Sequence, residues 1–407
     1  MAEKLLKLST LITDGEHGSV KDDPNGNCFL LSNKNLINGL IRIGKNDRKI
    51  NEETKQKLNK RTKLGKDTIL ISTVGSVGKL SYIKEDNVNY AFQRSVGIIK
   101  PNKEKIDPYF LYSLLQTDEY QKGFKQMASG SVQKCLFIGG LEDLNIPSYD
   151  RNDQERIGKI FYDIDELMQK NINIIDTLSE KIRSLYTYWF VDFNFPDKDN
   201  KPYKMAGGPI NKETELPDGW VKKSFTDNPV FTLVPVGIDL FEGKKLYLST
   251  SEVEGNDYDL ETDLITFKNR ESRANMQPKS LSIWFARMKE SVKHLCFDET
   301  GYLINDIILS TGFCGITCKE EFFEYVYSII NSDWFEKTKD VYSSGSTQEA
   351  ITDLVLSYIK IIVPNEKLLL KFHELTKEDL KMIQRIRKEN DSLLKYKKFL
   401  LKTLFQK

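Results

Sequence analysis

The chain has 407 residues, 39% hydrophobic and 29% charged, which suits a globular protein of two or three domains. Its 60 Lys and Arg against 59 Asp and Glu leave a formal net charge of +1, which excludes a uniformly basic nucleic-acid coat and confines any polyanion contact to local patches. Five scattered cysteines (Cys28, Cys135, Cys296, Cys314, Cys318) and three distant histidines (His17, His294, His373) argue against a disulfide framework and a zinc cluster, and for structural thiols in a reducing compartment.

From the N-terminus, no apolar run reaches signal-peptide or membrane-spanning length, so the expected location is cytoplasmic, with no membrane contact. Residues 1–150 mix short β-rich runs with short helices and read as a first domain. Thr68-Ile-Leu-Ile-Ser72 and Ser95-Val-Gly-Ile-Ile99 are its clearest strands. Gly75-Ser-Val-Gly-Lys79 hints at a phosphate loop, but Thr73 and Leu80 occupy the positions that need Gly and Ser or Thr, so a tight glycine turn is expected. Asp107-Pro-Tyr-Phe110 lacks one proline of an amino-methyltransferase motif, and helix capping by Asp107 with Pro108 at the first position explains it. Ala128-Ser-Gly-Ser-Val-Gln133-Lys134 is a loop, followed by an apolar stretch ending at Ile146-Pro147.

A first long helix is expected over 151–195, starting near Asn152 with Asn152 and Glu155 in capping-box spacing. Ile164, Met168, Ile175, Leu178, Ile182, Leu185 and Trp189 recur at heptad spacing, with Asn171 on the same seam, and Pro196 ends the pattern. At roughly 1.5 Å per residue such a helix is about 55 Å long. Residues 196–216, rich in Pro, Gly, Lys and Asp, read as a connector.

Residues 217–364 form a second domain, with Asp306-Ile-Ile-Leu-Ser310 as one strand. Pro217-Asp218 is followed by no Glu-x-Lys element and reads as a turn rather than a nuclease motif. Ser343-Ser-Gly-Ser-Thr-Gln348-Glu349 then repeats the first loop 215 residues later, and again an apolar stretch ends in an aliphatic–proline pair, Val363-Pro364. A second long helix over 365–407 carries Ile383, Ile386, Asn390, Leu393, Leu400 and Leu404 on the shifted seam, with Lys397 where an apolar residue would fit. The same order of loop, strand, proline and helix occurs twice, so half of the chain is duplicated. Two surface helices would need a wide apolar stripe; the narrow seam favours helices packed on each other.

Side chains that read DNA are Arg or Lys on guanine, Asn or Gln on adenine, and small hydroxyls on phosphate. In the first domain the candidates of these types, near the glycine turns, are Lys79, Gln93, Arg94, Ser129, Ser131, Gln133 and Lys134. In the second the candidates are Lys268, Asn269, Arg270, Arg273, Arg287, Lys289, Ser344, Ser346 and Gln348.

Tyr188-Trp-Phe-Val-Asp-Phe-Asn-Phe-Pro196 with Lys201-Pro-Tyr-Lys-Met-Ala-Gly-Gly208 closely resembles the central region of type I restriction–modification specificity subunits. Thr13-Asp-Gly-Glu-His17, Asp67 to Lys79, Ser282 to Lys289, Ile308 to Ile316 and both Ser-Gly-Ser loops also resemble elements of that family, in its order. Glu349 in place of Lys134 is a departure, so the two loops are not expected to contact DNA identically. The resemblance implies an α+β fold with two mixed α/β target-recognition domains. Two long antiparallel helices would separate them as a coiled-coil-like spacer, with a pseudo-two-fold internal repeat. It also implies a non-catalytic subunit in which each domain reads one half of a split double-stranded DNA target. Two methyltransferase (modification) subunits and nuclease/translocase (restriction) subunits are the implied partners, and they would carry S-adenosylmethionine, ATP and magnesium; none is expected on this chain. Tyr186 and Phe190 are candidates for partner docking if exposed, or for self-packing. The competing readings are a self-contained nuclease or methyltransferase, and an adaptor that only tethers proteins.

Overall fold

A computed structural model describes all residues except 1, 38, 45–46, 129–134, 259–261, 346–348 and 406–407. The chain forms two compact units, Met1–Lys170 with Asp391–Lys407, and Asn171–Asn390. Both divisions fall inside long helices, Arg151–Tyr186 and Glu366–Phe405.

The first unit is built on a four-stranded antiparallel sheet in the order Ser9–Asp14, Val96–Pro101, Thr68–Ser72, Leu80–Ile83. All five residues of Thr68–Ser72 are buried. Alternation sends Ile69 and Ile71 into one core with Phe110 and Leu111, and Leu70 into another with Phe92 and Ile98. This explains why the strand reads as an unbroken apolar run: both faces are covered. A second sheet orders Arg48–Ile50, Cys28–Leu31 and Tyr90–Phe92, the last pair parallel. Ala2–Lys4 pairs with Asn145–Pro147. Asp107 accepts the Phe110 N–H at 2.7 Å and caps the buried helix Pro108–Leu114.

The second unit repeats this plan. Its main antiparallel sheet orders Phe231–Leu233, Phe313–Cys318, Ser282–Ala286 and His294–Phe297. Ser282–Ala286 is wholly buried, with Ile283 and Phe285 facing one core and Trp284 and Ala286 another. The second sheet orders Leu264–Ile265, Lys245–Leu248, Ile307–Ser310 and Ala274–Met276, with Lys245–Leu248 and Ile307–Ser310 parallel. Val221–Ser224 pairs with Lys360–Val363. The duplication seen in two loops therefore extends to strand order and strand direction.

The first long helix starts two residues earlier than the capping-box spacing suggests. Asp150 is the cap: its carboxylate accepts the Asn152 N–H at 2.8 Å, and its carbonyl accepts the Gln154 N–H at 3.0 Å. Glu155 turns instead to Arg151, at 2.8 Å. An aspartate caps as well as an asparagine and adds a favourable charge at the helix N-terminus. After Tyr186 the helix widens into one π-helical turn, Thr187–Val191, which Asp192 closes by donating to the Thr187 carbonyl at 2.9 Å.

Within the second unit the long helices pack on each other. Asn171 donates to Asn390 at 2.9 Å, and Lys181 pairs with Asp379 at 2.7 Å. Rising numbers on one helix meet falling numbers on the other, so they run antiparallel. Within the first unit Phe161 stacks on Phe405 at 5.9 Å, and Asp165 pairs with Lys397 at 2.7 Å, again antiparallel. Lys397, the apparent break in the seam, is buried because Asp165 faces it. Tyr186 and Phe190 are not exposed docking residues. Both are buried in the second unit, where Phe190 packs on Tyr325, Phe372 and Trp220. Residues after Pro196 join the same core: Phe195 stacks on Trp220 at 5.1 Å and on Tyr203 at 4.5 Å.

Candidate nucleic-acid interface

In the first unit the candidate residues gather where the central strands turn. Gly75 and Gly78 have φ of +72° and +94°, a conformation that side chains disfavour, so the Thr68–Ser72 strand reverses tightly there. The Ser72 hydroxyl donates to the Ser76 carbonyl at 2.5 Å and accepts the Lys79 N–H at 2.8 Å, which leaves the Lys79 ammonium exposed at the turn. Thr73 donates to the Ser95 carbonyl at 2.9 Å and accepts the Leu136 N–H at 2.8 Å, while Val74 bridges Cys135. The chain leaving the Ser-Gly-Ser loop is thus stitched to the glycine turn. Ser129, Ser131, Gln133 and Lys134 themselves lie outside the described residues.

Gln93 and Arg94 occupy the adjoining turn. The Gln93 N–H donates to the Leu31 carbonyl and the Arg94 N–H to the Glu16 carbonyl, both at 2.9 Å. The Arg94 side chain is exposed. Gly15 permits this approach, since a methyl group there would stand 2.3 Å from the carbonyl oxygens of Phe92 and Gln93. Arg61 secures the segment by donating to the Thr13 hydroxyl and the Gly15 carbonyl, each at 2.6 Å. Asn33 donates to the Val74 carbonyl at 2.8 Å. Arg61 and Asn33 were not singled out by the sequence, because neither belongs to a turn or loop with a recognisable pattern.

The second unit is stitched in the same way. Arg287 donates through its N–H to the Gly312 carbonyl and accepts the Ile351 N–H, both at 2.9 Å, and Met288 bridges Ala350. Ser344 bridges Ala350 in turn, closing the second Ser-Gly-Ser loop; Ser346 and Gln348 lie outside the described residues. The Arg287 guanidinium is committed. It pairs with Asp353 at 2.7 Å and lies 3.4 Å and 3.3 Å from the carbonyls of Phe313 and Ile351. Lys289 pairs with Glu349 at 2.5 Å, which raises the lysine's pKa above its ordinary value and offsets its charge locally. The loop residue that departs from the first copy is therefore the one that pairs this cation.

Arg273 sits on the turn opposite. Its carbonyl accepts the Thr311 N–H at 2.8 Å, and its side chain, exposed, lies across Gly312. On the neighbouring turn Lys268 is exposed. The Asn269 carboxamide oxygen accepts the Thr266 N–H and hydroxyl at 2.8 Å and 2.6 Å, so it shapes the turn. Arg270 lies over the Phe267 ring at 4.3 Å and donates to the Phe267 carbonyl at 2.5 Å. In the first unit exposed Lys79 and Arg94 stand at turns of the main sheet, and in the second exposed Lys268 and Arg273 stand at turns of the second sheet; cations held at the ends of a packed sheet are suited to meeting an anionic polymer.

Residues 24–178 match the sequence model of the type I restriction modification DNA specificity domain. The HindI specificity subunit of Haemophilus influenzae is 32% identical over 122 residues, 29% of this chain and 26% of that protein. The MjaIX specificity subunit of Methanocaldococcus jannaschii is 24% identical over 212 residues, 51% of this chain and 46% of that protein. The chain thus spans under half the length of these curated relatives. Among solved structures, the type I restriction–modification S subunit from M. genitalium has a TM-score of 0.51 at 15% identity, covering 100% of this chain and 96% of that one. Residues 24–178 are thus similar in sequence to the type I restriction modification DNA specificity domain, and the chain as a whole shares the fold of the M. genitalium S subunit.

Proposed function

We propose that this chain is the sequence-reading subunit of a type I restriction–modification enzyme, each unit reading one half of a bipartite double-stranded DNA target. The observation that carries this reading is the repeated stitching of a Ser-Gly-Ser loop to the end of a buried central strand. Leu136 to Thr73 in one unit matches Ile351 to Arg287 in the other. Two like platforms with unlike side chains suit a target of two unlike halves. The cations at the turns supply the sequence-independent attraction to phosphates, and neighbouring groups discriminate base edges.

In this proposal the chain is non-catalytic. Two modification subunits methylate where it binds, and restriction subunits cleave; S-adenosylmethionine, ATP and magnesium belong to those partners. Mapping methylated positions in DNA from cells that carry the chain with its partners tests the reading. The expected result is one split motif, and methylation without sequence preference would refute it.

A further inference from the structure

The second unit contains a polar cleft of about 360 Å³ lined by Tyr247, five hydroxyl residues that include Ser310, three carboxylates (Glu252, Asp263, Glu271) and Arg273. Glu252 is used internally, accepting the Ser249 N–H at 2.9 Å and the Ser251 hydroxyl at 2.7 Å. Arg273, Glu271 and Asp263 differ: among the described residues their side chains enter no ion pair or hydrogen bond with the protein. The Arg273 guanidinium lies beside Gly312, where a methyl group would stand 3.2 Å from it.

A pure phosphate site would not place two uncommitted carboxylates beside its arginine, because they repel the backbone. The major-groove edge of a cytosine–guanine pair, however, offers two acceptors on guanine and an amino donor on cytosine. Arg is the usual partner of the first and Glu or Asp of the second. Resting on the reading above, we infer that this cleft reads one C·G pair in the half-site of the second unit, with Arg273 on guanine and Glu271, two residues away, on the cytosine amine; Asp263 is the adjoining acceptor.

The assembled complex of the chain with its partners is tested for binding to its mapped target and to every single-pair variant. Arg273→Ala and Glu271→Ala are each expected to lower discrimination at one and the same C·G pair by about ten- to a hundred-fold. Glu271→Ala should also tighten binding to non-target DNA, because a carboxylate facing phosphates is removed. If Arg273→Ala weakens all sequences equally, the arginine is a phosphate contact and the inference is overturned. Unchanged base preference in the Glu271 variant overturns it too. A wild-type complex that binds DNA without any preference would instead refute the proposed function.

Discussion

Asn171 donates its side-chain amide to the carboxamide oxygen of Asn390 at 2.9 Å, joining the two long helices within the second unit. Each asparagine sits on an otherwise apolar seam. A polar pair in such a place satisfies itself in one register only, so it specifies alignment at a cost in stability.

Replacing one member strands the other. Asn171→Leu is expected to destabilise the protein by about 1–3 kcal/mol, the usual cost of a buried polar group without its partner. The double change of Asn171 and Asn390 to Leu should recover most or all of that loss. Urea denaturation of the two single variants and the double variant checks both expectations; a double variant weaker than either single one would contradict this role.

Lys397 and Asp165 form the corresponding polar break within the first unit, where Asp165 also accepts the Tyr109 hydroxyl at 2.8 Å. Both side chains are largely buried. Lys397→Met should cost about 3–5 kcal/mol by leaving a buried carboxylate short of its cation. Adding Asp165→Asn should return much of it, and a double-mutant cycle in thermal or chemical unfolding measures the coupling.

Gly15→Ala should act on the first unit. The added methyl group would meet backbone carbonyls at 2.3 Å, which cannot move as a side-chain tip can. A loss of about 1–3 kcal/mol is expected from the forced shift. The altered Gln93–Arg94 turn should blur recognition of one half-target while the other half keeps its preference, as read by binding assays on half-site variants.

Acid sensitivity should come from Glu336. Burial raises its pKa, but hydrogen bonding from His294 at 2.8 Å and the Lys339 ammonium at 2.6 Å outweigh burial, so it lies below the ordinary 4.5. A carboxyl depressed on folding stabilises the protein above its unfolded value, and that contribution fades as pH falls from about 4.5 through the folded value. Glu336→Gln should therefore reduce stability at neutral pH and flatten the loss below about pH 4.5, a difference visible in urea midpoints measured across that range.

Much of this fold is legible in one dimension. The seam positions, both seam asparagines, the capped helix at Asp107 and the glycine turn follow from spacing and local stereochemistry. Lys397 looked like a defect because its partner, Asp165, is 232 positions away in sequence. Tyr186 and Phe190 suggested an exposed end because nothing in the pattern shows that Tyr325 and Phe372 cover them. The site is less legible. Arg287, Asn269 and Lys289 have the chemistry of base readers, yet their side chains pair with Asp353, Thr266 and Glu349. The stitching of Thr73 to Leu136 and of Arg287 to Ile351 is carried by backbone groups, which every residue possesses and no composition reveals.

The most direct test of two independent reading units is to exchange residues 1–150 for the matching segment of a relative with a different target, then map methylation in cells that supply the partners. One half of the motif should change and the other half stay as it was. A change in both halves, or in neither, would contradict the account.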